Sequence, residues 1–385
     1  MVVAARRTAF TTAGRALSQV AAADLAAPVL AALAAELELR LTPATAVDDV
    51  VLGNCCGPGG DLARVAALAA GLGVQVPGVT VDRQCGSGLD AVRLAGALVG
   101  SGVAEVVLAG GTESASLAGF ARAAFAPPGT PDPDMGPAAE ALAVACRVDR
   151  ERQDAYAERS HARAIAMQDG GGYDTELVAV HGVRHDDRPR RGLTRQTLSR
   201  FRPAFAEGGS VTAGNACGIS DGAAVVAVVS ERLRDQAGLP GLRILGSAVC
   251  GVDPALPGLG PVPAVRRVLA AAGVRLADVE VLEITEAFAA QVLACTDALG
   301  LDPLGADAER VCPQGGALAL GHPWGASGAM LVVRLFSQLV HSPGPGPGPG
   351  PGLDPGYPAG GPRYGLACCA IGGGQGLAVL VERVG

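Results

Sequence analysis

Cys85 stands in the run Val-Asp-Arg-Gln-Cys-Gly-Ser-Gly-Leu-Asp-Ala-Val, which reads as an extended segment, a tight glycine-punctuated turn and a small-residue helix starting near Gly86. A thiol at that junction faces the positive end of the helix dipole and its unpaired N–H groups, which lower its pKa and favour the nucleophilic thiolate. Gly86 and Gly88 leave room for a substrate to approach the backbone. His322 lies between Gly321 and Pro323 just ahead of another predicted helix. Its backbone is held by its neighbours while its ring is free to aim, and an imidazole can draw the proton from a thiol and pair with it. Gly372-Gly373-Gly374, after the apolar run Cys368-Cys369-Ala370-Ile371, exposes backbone N–H groups suited to an oxyanion. Thr285 in Ile284-Thr285-Glu286-Ala287-Phe288 reads as the N-cap of a strand-to-helix entry. Against this stands a plainer reading, since a lone histidine is usually structural and most cysteines are small buried hydrophobes.

These residues need a rigid frame, and the composition supplies one. The 385 residues suffice for two or three domains, with 49% apolar residues but only 3% aromatic ones. Cores of Ala, Val, Leu and Gly let helices and strands approach closely, as packed α/β layers require. All 30 basic residues are Arg, which excludes a lysine Schiff base and a P-loop lysine. A net charge of −7 argues against nucleic-acid binding. No apolar run is long enough for a membrane span and no signal peptide is evident, so a soluble cytoplasmic protein with reduced thiols is expected. Cys55–Cys56 and Cys368–Cys369 are adjacent pairs rather than metal clamps, and no metal is expected.

Helix-like stretches over Leu25–Leu39 and Arg64–Leu72 alternate with short apolar runs at Val50–Leu52 and from Glu105. That order predicts a mostly parallel, covered sheet. The texture changes from Ser116: prolines, a helical stretch over Ala138–Asp169, and a polar run carrying Arg184, Arg188, Arg190, Arg191, Arg195, Arg200 and Arg202. Apolar α/β patterning returns at Val211. The simplest organisation is an N-terminal half over 1–117 completed by about 211–243, an insertion over 118–210 and a C-terminal half over 244–385. The Pro–Gly repeat at 343–352 reads as a solvated, disordered surface loop.

Together these segments resemble the thiolase family of acyl-CoA C-acyltransferases over nearly the whole chain. Further matching motifs are Gly-Gly-Thr-Glu-Ser-Ala-Ser from Gly110, Met-Gly-Pro-Ala-Ala-Glu from Met135, Phe-Arg-Pro-Ala-Phe from Phe201 and Ser-Val-Thr-Ala-Gly-Asn-Ala-Cys-Gly from Ser210. The resemblance implies two similar βαβαβ halves in a five-layer α/β sandwich, with a loop domain inserted in the first half. It also implies a homodimer or tetramer, coenzyme A thioesters as substrates and no resident cofactor. Cys85 would take an acyl group from an acyl-CoA or 3-ketoacyl-CoA and pass it to CoA or to the α-carbon of acetyl-CoA. His322 would activate Cys85 and help hold the thioester enolate, and the N–H groups of Cys85 and Gly372 would form an oxyanion hole. The loop domain, with Arg188, Arg191 and Arg195, would meet CoA, as would Ala213, Cys217 and Phe288. Fatty-acid β-oxidation is one setting for such chemistry; the chain length and direction are not readable.

Two positions leave the family pattern. Thr285 stands where the family has the Asn that holds a water for the enolate, and its hydroxyl lacks the amide's two donors. Ala370 stands where the family has its second cysteine, the acid/base at the α-carbon. Cys369 is adjacent, but a one-residue shift along a strand points a side chain to the opposite face. These departures leave open a second reading, a thiolase-fold protein without carbon–carbon chemistry: a slow thioesterase, an acyl carrier or a scaffold subunit. Smaller departures are Cys217 for a usual Ser, Pro257 for Met and Cys312 for Asn.

Overall fold

The computed structural model describes residues 1–41, 46–119, 123–341 and 363–385. The Pro–Gly repeat at 343–352 lies outside the described residues. β1 (Val2–Thr8) and the short β2 (Thr11–Thr12) lead into α1 (Ala22–Arg40), β3 (Asp49–Gly53), α2 (Leu62–Ala69), β4 (Gly78–Val81), α3 (Ser87–Gly100) and β5 (Val106–Ser114). Next come α4 (Met135–Cys146), α5 (Arg150–Asp169), β6 (Leu177–Val178) and α6 (Arg195–Leu198). The chain then forms β7 (Ser220–Val229), α7 (Glu231–Ala237), β8 (Gly241–Gly251), α8 (Pro261–Ala272), β9 (Val279–Ile284) and α9 (Ala289–Leu299). It closes with α10 (Ala317–Leu320), α11 (Trp324–Phe336), β10 (Tyr364–Ile371) and β11 (Gln375–Val384).

The strands run in the order β4-β3-β5-β7-β1-β8-β11-β10-β9, and the two halves meet at a single β1–β8 pair, Val2 with Leu242. Strand alternation sorts the side chains into layers. Val50, Leu52, Val106 and Leu108 face α1 and α2, whereas Val51, Val107 and Ala109 face the middle of the molecule. In the second half Ala367, Cys369 and Ile371 face the same middle layer, and Leu366, Cys368 and Leu380 face α8 and α9. α3 and α11 fill that middle layer between the two half-sheets. The result is the five-layer α/β sandwich.

Two sequence expectations need correction. The sheet is not mostly parallel: parallel pairing is confined to β3–β4, β3–β5, β9–β10 and the short β1–β6 contact. β7 enters antiparallel between β5 and β1, and β11 returns from β10 through a tight hairpin, which needs no crossover helix. The Ala138–Asp169 stretch is two helices rather than one, broken at Arg147, whose φ of 56° is left-handed.

The segment between β5 and β7 is tied to the core by buried charges. Arg7 of β1 donates to Glu176 Oε1 at 2.6 Å and to both oxygens of Asp186 at 2.7 and 2.9 Å, while Arg334 of α11 also pairs with Glu176. Burial pushes the Glu176 carboxyl up, but Arg334 and Arg7 hold it below its ordinary value. Losing either partner would leave a buried charge uncompensated, so this network fixes the course of the chain through Asp186.

Candidate active site

Cys85 lies in a 3₁₀ turn over Gln84–Gly86, directly before α3. Gln84 has a left-handed φ of 49°, and its backbone N–H donates to Asp82 at 2.7 Å. Ser87 locks the turn from inside, accepting from the Arg83 N–H at 2.8 Å and donating to the Gln84 carbonyl at 2.7 Å. Arg83 reaches Asp90 at 2.9 Å and the Gln375 side-chain oxygen at 2.9 Å. The Cys85 turn is thereby tied to the glycine hairpin between β10 and β11.

α3 and α11 cross closely at their N-terminal ends. A Cβ on Gly88 would lie 2.6 Å from the Gly325 carbonyl oxygen, and one on Gly328 would lie 2.6 Å from the Leu89 nitrogen. Gly88 follows Cys85 by three residues and Gly325 follows His322 by three, so one helix crossing brings both residues to the same end of the middle layer. Glu113 of β5 secures this arrangement. Its carboxylate accepts from the Gly325 N–H at 3.0 Å, from the N–H groups of Cys55 and Cys56 at 3.0 and 3.1 Å, and from Asn54 at 2.9 Å.

His322 is buried, and its backbone N–H donates to the Gly218 carbonyl at 2.8 Å. Its Nδ1 lies 2.6 Å from Ser327 Oγ, and that oxygen is 3.0 Å from the Pro323 carbonyl. The hydroxyl can give its one proton to that carbonyl, which also accepts the Ala326 and Ser327 N–H groups, or to Nδ1. With the proton on the carbonyl, His322 Nδ1–H donates to Ser327 and Nε2 keeps its lone pair, free to act as a base. Burial lowers the imidazole pKa to about 4, so the ring is neutral at pH 7.

The expectation of a thiolate at Cys85 is corrected by the same physics. Burial, followed by the nearby Cys217, pushes the Cys85 thiol up to about 12. Desolvation outweighs the helix dipole, whose influence is worth about 1 kcal/mol within one turn. Burial thus holds both groups toward their neutral forms.

Thr285 is not a helix cap. α9 starts at Ala289 with Phe288 at the cap position and no side-chain capping bond. The Thr285 hydroxyl is instead buried without a partner among the described residues. It faces a cavity of about 20 Å³ lined also by Gly321, Ser327, Glu283 and Arg334. That volume suits one water. Glu286 steadies the segment by accepting from the Tyr156 hydroxyl at 2.8 Å, Ser160 at 2.6 Å and the Leu318 N–H at 3.2 Å.

Cys369 and Ala370 point to opposite faces of β10. Cys369 is fully buried in the middle layer, 3.5 Å from where a Gly86 Cβ would be, beneath the Cys85 turn. Ala370 is on the other face and half-buried. Gly373 and Gly374 turn the hairpin with φ of 80° and 77°, values that favour glycine. A Cβ on Gly372 would lie 2.7 Å from the Phe125 ring, so Phe125 packs over this turn.

The arginines separate. Arg191 pairs with Asp169 and Arg195 with Glu158 at 3.2 Å, both as exposed ion pairs along α5. Arg188 stands apart, stacked on Gly218 beside Cys217. Cys217 is half-buried, and its N–H donates to the Ala287 carbonyl at 2.9 Å. Phe288 meets Phe205 edge-on at 6.1 Å, and Ala213 is exposed. Among the described residues no group of three metal-ligating side chains converges, and no helix is long and apolar enough to cross a membrane.

Sequence reasoning missed Ser327 and Glu113. Both sit inside recognisable motifs, but their partners are a ring nitrogen in the loop ahead of α11 and backbone groups on distant elements. Cys312, where Asn is usual, has a left-handed φ of 41°, a conformation Asn adopts more readily.

The chain matches the thiolase N-terminal domain over residues 1–127 and 129–232 and the thiolase C-terminal domain over 239–345. It belongs to the thiolase family. It is 39% identical over 419 residues to an acetyl-CoA acetyltransferase of Pseudomonas aeruginosa, covering 100% of this chain and 99% of that one. A beta-ketoadipyl-CoA thiolase of the same organism is 39% identical, covering 98% of this chain and 97% of the other. The crystal structure of the Bacillus anthracis acetyl-CoA acetyltransferase superposes with a TM-score of 0.87 at 35% identity, covering 100% of this chain and 98% of that one. The protein is a thiolase-type acyl-CoA C-acyltransferase, and the reading without carbon–carbon chemistry is not favoured.

Proposed function

We propose that acyl transfer runs through Cys85, with His322 Nε2 as its base, on coenzyme A thioesters and without a resident cofactor. In thiolysis Nε2 takes the Cys85 proton as sulfur attacks the 3-keto carbon. The C2–C3 bond then breaks, its electron pair leaving on the acetyl-CoA enolate, whose α-carbon takes up the proton His322 drew from Cys85. The CoA thiol next attacks the acyl-Cys85 carbonyl, its proton passing through His322 to the departing Cys85 sulfur, and the shortened acyl-CoA is released. Condensation is the reverse. The observation that carries this reading is the Ser327 hydrogen bond that leaves Nε2 as the free base at the helix crossing shared with Cys85.

The N–H groups of Cys85 and Gly372 form one oxyanion hole, and Thr285 holds a water that serves the enolate with His322. Support for the latter is the unpartnered Thr285 hydroxyl beside a cavity of one water's size. Cys217 and Phe288 line the CoA approach, together with Ala213 and the insertion over 118–210 in the first half. The protein works as a cytoplasmic homo-oligomer. β4 supports this, being an edge strand with exposed Val79, beside exposed Val65, Leu68 and Val74. Degradative thiolysis, as in fatty-acid β-oxidation, and biosynthetic condensation both use these groups.

The test is product analysis with acetoacetyl-CoA and free CoA. Acetyl-CoA should accumulate with the native protein and not with Cys85→Ser. Hydrolysis to free acid with no acetyl-CoA would replace this reading with a thioesterase.

A further inference from the structure

Behind His322 lies a buried cluster of charged and polar groups that the acyl-transfer steps leave unused. Glu283 of β9 is buried and lines the same cavity of about 20 Å³ as Thr285, Arg334 and Ser327, the partner of His322 Nδ1. Arg334 and Thr285 are only 1% and 2% exposed, yet the Thr285 hydroxyl and the Arg334 Nε and Nη2 have no partner among the described residues. Beside a carboxylate and the Ser327 hydroxyl, these atoms give one water the two to four polar partners it needs. The surrounding groups are otherwise engaged: Gln338 donates to Glu283 Oε1 at 2.6 Å, and Glu176 is held by Arg7, Arg334 and Ser337.

The cavity therefore joins a carboxylate to the hydroxyl that orients the base. Arg334 of α11 and Gln338 just past it act on Glu283, as do Glu176 from the insertion, Glu286 after β9, Cys312 ahead of α10 and Cys368 on β10. Burial pushes the Glu283 carboxyl up to about 7, with Glu286 and Glu176 adding to it and Arg334 and the Gln338 hydrogen bond opposing it. The same burial lowers His322 to about 4. Desolvation thus disfavours an imidazolium and favours a neutral carboxylic acid, so a proton drawn into this region is better held by Glu283 than by the ring.

We propose that Glu283 accepts, through Ser327 and one cavity water, the proton that His322 gives up from Nδ1 as Nε2 takes the proton of Cys85. This rests on the acyltransferase reading above and adds what the base does with its second proton. As the Cys85 sulfur attacks a thioester carbonyl, its proton passes to Nε2, the Nδ1 proton to Ser327 Oγ, the Ser327 hydroxyl proton to the water, and a water proton to Glu283. The negative charge moves from the carboxylate to the tetrahedral oxyanion, and the ring stays neutral. When the bond between the carbonyl carbon and the CoA sulfur breaks, that sulfur takes the Nε2 proton. The chain then runs back, restoring Nδ1–H and the Glu283 carboxylate.

Rapid-quench acylation of Cys85 by acetyl-CoA, read by intact mass from pH 5.5 to 8.5, tests this. The native rate should fall at least tenfold from pH 8.5 to 5.5, with its inflection near 7 as Glu283 takes up a proton. Glu283→Gln, isosteric but unable to accept the proton, should match the native rate at pH 5.5, lose the inflection, and be at least tenfold slower at pH 8.5. Gln338→Leu keeps Glu283 but removes a hydrogen bond that favours its carboxylate, so its inflection should move to higher pH; it decides the matter if Glu283→Gln does not fold. An inflection that stays in place in either variant would overturn the proposal. So would a Glu283→Gln protein slowed by one factor at every pH, the signature of a structural role. A native protein that acylates Cys85 with a flat profile would fail this inference alone, whereas the absence of acyl-Cys85 at every pH would fail the acyltransferase reading on which it rests.

Discussion

Ser327→Ala removes one oxygen from the molecule and isolates its role. The residue is buried in the first turn of α11, and Oγ is the partner of His322 Nδ1 at 2.6 Å. Without it the Nδ1–H is buried and unsatisfied, which costs about 1–3 kcal/mol. The Pro323 carbonyl, which accepts the hydroxyl proton at 3.0 Å, loses that donor as well. The ring can respond by shifting its proton to Nε2 or by rotating away, and both remove the lone pair that deprotonates Cys85. If the lost energy falls on the acylation barrier, the rate drops about 10- to 100-fold. Rapid-quench mixing with acetoacetyl-CoA, read by intact mass as the growth of acyl-enzyme, measures that rate directly. Nitrogen-15 labelling of the histidines reports the tautomer independently: Nε2 should be the unprotonated nitrogen in the native protein and mixed in the variant. A Ser327→Ala protein that is folded and acylates at the native rate would refute the assignment of His322 Nε2 as the base.

Three further outcomes follow from the same geometry. Because burial holds the Cys85 thiol near 12, its thiolate fraction rises about tenfold per pH unit below that value; alkylation by iodoacetamide should climb from pH 6 to 10 without levelling, and a plateau below pH 7 would reveal an ion pair instead. Ala370→Cys should raise thiolysis at least tenfold, about 1.4 kcal/mol of barrier, while leaving the rate of Cys85 acylation by acetyl-CoA near its native value. Cys369→Ala should keep turnover, since Cys369 faces the middle layer beneath the turn; its abolition would show that Cys369 has taken over the acid/base role.

What the sequence made legible was mostly local. Cys85 and His322 stand out because glycine and proline around them have few uses other than shaping a turn, and both turns are found ahead of α3 and α11. Alternation placed Cys369 and Ala370 on opposite faces, and the layers of the fold bear this out. The failures came where tertiary contacts overrule a local rule. A helix dipole favours a thiolate at Cys85, but desolvation, followed by the nearby Cys217, reverses the balance. Thr285 has the type and spacing of a cap, yet its backbone N–H is drawn to the Cys368 carbonyl at 3.1 Å, and the helix starts four residues later. Ser327 and Glu113 were invisible because hydrogen-bond partners set by the fold are not encoded in any window of sequence around them.

The most direct measurement of the central claim is the site of covalent acylation. The protein is exposed to acetyl-CoA or acetoacetyl-CoA, quenched, and mapped by peptide mass spectrometry with all ten cysteines covered. The expected result is one acyl group per chain on Cys85, lost in Cys85→Ser and slowed in His322→Ala. Acylation that persists in Cys85→Ser, or that maps to Cys217 or Cys369 in the native protein, would contradict the account.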